Sequence, residues 1–182
     1  MILFIFAILL GAGLGYFLVY IFSPSSPTMN SGVILQTKEV TTSTYDRIYD
    51  YDLTPQKIEK MNIPMETHGN SYLSIRYFGP CFVSLYSGFS GRAYFNLAIE
   101  LDGVEKRSTT VFRYSDGAIA TTLDDSDQIY LEYITPSLSS SNYSIRILWY
   151  STYNNPSGTA QCYVSTAGVI ANRTLIVQEI SV

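Results

Sequence analysis

Hydrophobic and polar residues alternate along most of the chain beyond residue 70, and a period of two places one set of side chains in a core and the other in solvent. Arg92 to Leu101 puts Ala93, Phe95, Leu97, Ile99 and Leu101 on one face and Arg92, Asn96 and Glu100 on the other. Gln128 to Ile134 sets Ile129, Leu131 and Tyr133 against Gln128 and Glu132. Tyr143 to Tyr150 sets Tyr143, Ile145, Ile147 and Trp149 against Ser144 and Arg146, which assigns Trp149 to the core. Further strands are expected at 33–42, 72–78, 81–87, 104–114, 118–123, 159–165 and 174–182. Asp102-Gly103 and Asp116-Gly117 fall between strand-like runs, and Asp-Gly favours a type I′ hairpin turn because both central residues need positive φ. One short helix is expected at 56–61, with Thr54 as N-cap and Pro55 at its first position, followed by a loop over 62–70. Short strands joined by turn residues, without a βαβ pattern, predict an antiparallel β-sandwich of jelly-roll or immunoglobulin-like topology.

The first 22 residues follow a different pattern. Met1 to Phe22 carries no charged side chain, and at ~1.5 Å per residue it spans roughly the thickness of a bilayer core. Ser23-Pro24-Ser25-Ser26-Pro27 then ends the helix. The expected organisation is a transmembrane helix over 1–22, a Ser/Pro linker over 23–32 and a β-sandwich ectodomain over 33–182. A cleaved signal peptide would want a basic start and a shorter apolar core, whereas the first basic residue here is Lys38. Ala7, Gly11 and Gly15, four apart, form a small-residue stripe of the kind that lets two helices pack closely in lipid.

Composition narrows the function. Net charge is −4 with 14% charged residues, and no run of Lys or Arg occurs, which argues against a nucleic-acid partner. Tyrosine is abundant, at 16 residues against one Trp and one His. Tyr is a good strand former, and it also supplies contact area at low entropy cost. Cys81 and Cys162 match no zinc spacing; they are a disulfide candidate, with two buried free thiols as the alternative. Asn142-Tyr143-Ser144 and Asn172-Arg173-Thr174 are glycosylation sequons, so Asn142 and Asn172 are candidate acceptors in an extracytoplasmic domain.

Catalytic chemistry is thinly supplied. His68 is the single histidine, and it falls in a Gly/Asn/Pro-containing stretch that reads as a surface loop. No nucleophile elbow, zinc-protease, phosphate-loop or dinucleotide pattern occurs, so neither an enzyme nor a cofactor is expected. Asp124, Asp125 and Asp127 form the one acidic cluster, a weak calcium candidate that otherwise reads as a solvated turn. Asp46, Asp50 and Asp52 read as charges along an exposed edge.

From Asn142 the chain runs through Trp149, an Asn-Asn-Pro-Ser-Gly turn, a strand over 159–165, Ala167-Gly168 and finally Asn172 to Ile180. This cadence resembles the closing strands of jelly-roll heads in viral fibres and tumour-necrosis-factor-like domains. The whole plan resembles membrane-anchored surface and virion structural proteins of archaea and their viruses. Archaeal pilins share that plan, but their helix usually runs further than Pro24 allows here, and no charged-residue–Gly processing site precedes it. The resemblance implies a non-enzymatic, oligomeric surface protein that forms or decorates the exterior of a virion or cell envelope. Its partners would be membrane lipid, copies of itself or other envelope and capsid proteins, and surface glycans. Two alternatives stay open: a receptor-binding or adhesive module, and a filament subunit joined by donor-strand exchange. In the second, residues 33–42 would complete a neighbour's sheet and make few contacts at home.

Overall fold

Each alternating run becomes a strand whose apolar face turns inward, and the strands form two antiparallel sheets packed against each other. The computed structural model describes residues 32–153, 155, 159–164 and 171–182. In chain order the strands are β1 (Ile34–Thr42), β2 (Asp46–Tyr49), β3 (Gln56–Glu66), β4 (Ser71–Leu85), β5 (Gly91–Leu101), β6 (Val104–Ser115), β7 (Leu123–Ile134), β8 (Asn142–Ser151), β9 (Ala160–Val164) and β10 (Arg173–Ser181). The first sheet runs β1-β10-β4-β9-β2, with β7 also on β4; the second runs β3-β8-β5-β6. β7 pairs along β4 from Ser74 to Leu85, so β10 and β9 must share the opposite edge of β4, end to end. Between the sheets lies one apolar core that includes Ile75, Val83, Cys162 and Val177 from the first and Phe95, Leu97, Ile147 and Trp149 from the second.

Expected strands 72–78 and 81–87 merge into the single strand β4. Gly79 and Pro80 interrupt the hydrophobic pattern without ending the strand, because on one edge they fall in the gap between β10 and β9. Proline lacks an N–H, and that gap asks for none from a strand partner. Gly79 is also required by space: a Cβ there would lie 2.6 Å from the Cβ of Arg173. Arg173 is fully buried and donates to the carbonyls of Thr44, at 2.5 Å, and Glu59, at 3.1 Å. It thereby ties β10 to the β1–β2 connection and to β3, and burial lowers its pKa.

The helix expected at 56–61 is strand β3, and the loop expected at 62–70 shrinks to the turn after Glu66. Ile58 and Met61 are both buried at a helix-like spacing of three. That spacing arises from a wide bulge between Lys57 and Asn62 opposite β8, with Lys60 at φ 61°. Extra residues in a strand shift its inward positions and break the period of two. Asp102 and Gly103 do form the β5–β6 hairpin turn, at φ 50° and 80°. Asp116-Gly117 does not turn a hairpin, since β6 and β7 belong to different sheets, and the strand expected at 118–123 is instead the connection between them. The expected membrane helix over 1–22, with Ala7, Gly11 and Gly15, and the linker up to Ser31 lie outside the described residues. Among the described residues no helix is long and apolar enough to cross a membrane.

Candidate functional site

The short strand β2 builds a surface that the sequence pattern did not single out. Directly opposed residues in an antiparallel pair share a face. Arg47 opposes Tyr163, which opposes Phe82; Tyr49 opposes Gln161, which opposes Ser84. The residues between them, Ile48, Cys162 and Val83, belong to the core, so this row faces outward. Phe82 and Tyr163 stack at 5.3 Å, Tyr49 and Tyr51 at 5.0 Å, and Tyr45 tilts onto Tyr163 at 6.1 Å. The Arg47 guanidinium lies 5.1 Å from the centre of the Tyr49 ring. The nearby Tyr45 and Tyr49 phenols raise the Arg47 pKa. No carboxylate lies within ion-pair distance of Arg47 among the described residues. Burial, then the neighbouring Tyr49 and Tyr45 phenols, push the Tyr86 hydroxyl up. Ser84 donates to Asp124 at the rim.

A second aromatic cluster covers the outer face of the other sheet. Tyr94 stacks on Phe112 at 4.8 Å and meets the edge of Tyr153 at 6.3 Å. Phe112 and Tyr114 are 44% and 57% exposed, so these rings present apolar area to solvent. Tyr150 accepts from Asn96 at 3.1 Å and donates to Glu105 at 3.0 Å.

A third cluster forms where the ends of four elements meet. Glu179 on β10 is fully buried and accepts from Ser71 Oγ at 2.6 Å, Gln36 Nε2 at 2.7 Å and the His68 backbone N–H at 2.7 Å. His68 Nδ1 sits 2.8 Å from the same carboxylate, while the ring remains 68% exposed. Burial raises the carboxyl pKa, but the hydrogen bonds from Ser71, Gln36 and His68 outweigh it and hold it at about 2. This junction fastens β1 to the sandwich. The strand-exchange reading expects β1 to have few contacts at home; it instead pairs with β10 from Ile34 to Thr42.

Cys81 and Cys162 are joined as a disulfide, with Cα atoms 6.6 Å apart. Both are fully buried, and the bond links neighbouring strands β4 and β9. Asn142 opens β8 and Asn172 precedes β10, both exposed. The acidic cluster is not a turn but part of β7, and the pleat divides it. Asp124 points outward to Ser84, whereas Asp125 and Asp127 each pair with Arg113 at 2.9 Å. Among the described residues no group of three or more metal-ligating side chains is assembled.

Asp50 departs from the exposed edge expected for it. It is 1% exposed, and its Oδ2 has no hydrogen-bond partner among the described residues. Burial pushes its carboxyl up to about 6, above the usual 3.8. A raised pKa in the fold means that stability is fully present below the unfolded value and is lost as pH rises through the folded value. Asp50→Asn is therefore expected to stabilise the domain by about 2 kcal/mol at pH 8 and to change little at pH 3. Urea unfolding at the two pH values checks this; equal effects at both would refute it.

No family model matches the chain, and no curated protein matches it in sequence. Among solved structures it is similar to latent PorU from Porphyromonas gingivalis, at 9% identity and a TM-score of 0.45, over 86% of this chain and 14% of that one. It is also similar to the VP2 protein of infectious bursal disease virus, at 14% identity and a TM-score of 0.36, over 85% of this chain and 39% of that one. A family two carbohydrate esterase from Cellvibrio japonicus matches at 11% identity and a TM-score of 0.22, over 80% and 35% of the two chains. The chain thus spans well under half the length of each.

Proposed function

We propose that this chain is a non-enzymatic structural surface protein, anchored in a membrane by residues 1–22. Its β domain assembles with copies of itself or with other envelope or capsid proteins, on the outside of a virion or cell. The observation that supports this best is the stacked cluster of Tyr94, Phe112 and Tyr153 on the outer face of the second sheet. Partly exposed stacked rings of this kind mark a contact surface. A jelly-roll reading is supported by the strand order. If β1 with β2, and β9 with β10, are each one broken strand, the two sheets contain four strands each. Each strand of one sheet then has its chain neighbour in the other, except at the β5–β6 hairpin.

The test is Phe112→Ser in the full chain, extracted in mild detergent. Phe112 faces solvent, so its loss is expected to dissociate the native oligomer while leaving the unfolding midpoint nearly unchanged. Mass photometry reads the first and thermal unfolding the second. An unchanged particle mass would remove this face from the assembly. The receptor-binding alternative draws on a different observation, the Tyr45–Arg47–Tyr49 surface of the first sheet.

A further inference from the structure

We propose that the outer face of β2, β9 and β4 binds an anionic sugar, a pyranose bearing a carboxylate, with Arg47 as the ligand for the charge. This goes beyond the assembly reading and stands or falls separately from it.

The choice of an anion follows from Arg47. Its guanidinium projects among Tyr45 and Tyr49 and has no carboxylate partner among the described residues, on a chain of net charge −4. Arg47 makes a side-chain hydrogen bond with Tyr45 but has no internal acid, so donors of its planar fork remain for a carboxylate. The guanidinium is cationic at every physiological pH. An incoming carboxylate on this face therefore finds an attractive centre of complementary charge.

The choice of a sugar follows from what surrounds that charge. Ring faces carry negative potential, which suits the C–H edges of a pyranose as it suits cations. Tyr51, 56% exposed and stacked on Tyr49 just beyond β2, and Phe82, stacked on the buried Tyr163, offer their outer faces beside Arg47. Polar groups are interleaved with them. Gln161 lies on the same row, and its Oε1 is buried with no hydrogen-bond partner among the described residues. A buried acceptor without a donor is costly, and a sugar hydroxyl supplies one. The second sheet's aromatic cluster also stacks ring on ring, but among the described residues the cation over a ring is Arg47 on Tyr49, in the first cluster. That difference separates a ligand face from a self-contact face.

The experiment uses the full chain in detergent micelles and three probes: tetragalacturonate, tetramannuronate and sialyllactose, each compared with its methyl ester. Esterification removes the charge and keeps the rings. Calorimetric titration is expected to show saturable binding of at least one acid, with its ester weaker by about tenfold or more. Arg47→Gln should weaken the acid by a similar factor, and Tyr49→Ala should weaken acid and ester together. Both side chains face solvent, so the variants are expected to fold. Absence of saturable binding to all three acids would overturn the proposal. So would equal binding of acid and ester, or unchanged affinity in Arg47→Gln. A change of particle mass in Arg47→Gln without sugar binding would also overturn it and assign the face to self-contact.

Discussion

Replacing both Cys81 and Cys162 with alanine should lower the stability of the β domain by about 4 kcal/mol. The bond closes a loop with a sequence separation of 81, and cross-linking distant residues removes conformational freedom from the unfolded chain. Its position adds a local consequence. β9 holds to β4 only from Ala160 to Tyr163, and β2 in turn holds to β9 over Asp46 to Tyr49. Without the disulfide this corner of the first sheet rests on those two short ladders and on the core packing of Ile48 and Val164. Urea unfolding with and without reductant measures the global loss. Hydrogen exchange should show the β2 and β9 amides opening before those of β5 and β8. An unchanged midpoint on reduction would show that the cross-link constrains nothing the fold does not already fix.

Glu179→Gln is the second large effect, expected to cost about 3 kcal/mol near neutral pH. The carboxylate serves Ser71, Gln36 and both the backbone and ring of His68, so four donors converge on it. An amide offers one oxygen and turns its own N–H groups toward donors, which leaves buried groups unmatched. The same network sets an acid limit. Its pKa of about 2 lies below the ordinary 4.5, so its contribution is fully present above pH 4.5 and is lost as pH falls toward 2. The wild-type chain should therefore lose stability across that window, and Glu179→Gln should lose less over the same range. Because Gln36 lies on β1, exchange of the β1 amides should rise first in acid. Parallel acid profiles for the two proteins would place the limit elsewhere.

The sequence made the sandwich legible because most strands keep a strict period of two. β5 and β8 read directly, β7 only from Gln128 onward, and Trp149 lies in the core as its alternation demands. Reading failed where tertiary pairing overrode local pattern. In β3, Thr54 and Pro55 read as a helix start, but pairing with β8 around a bulge at Lys60 makes the segment a strand. In β4, Gly79 and Pro80 read as a break, although β7 continues alongside them. The aromatic face was hidden for a similar reason. β2 is too short to show periodicity, and its Tyr and Asp residues read as a polar edge. Only the register brings Arg47 beside Tyr163 and Phe82, which lie far along the chain. Glu179 gave no signal at all, since its donors come from residues 36, 68 and 71. The abundance of tyrosine was the one available pointer to contact surfaces.

Whether the proposed surface protein assembles is decided by cryo-electron microscopy of native material extracted in mild detergent. Ordered neighbouring copies, or ordered envelope partners, are expected on the Tyr94–Phe112 face, with residues 1–22 in membrane density. Isolated monomers in micelles, with both aromatic faces open to solvent, would contradict assembly.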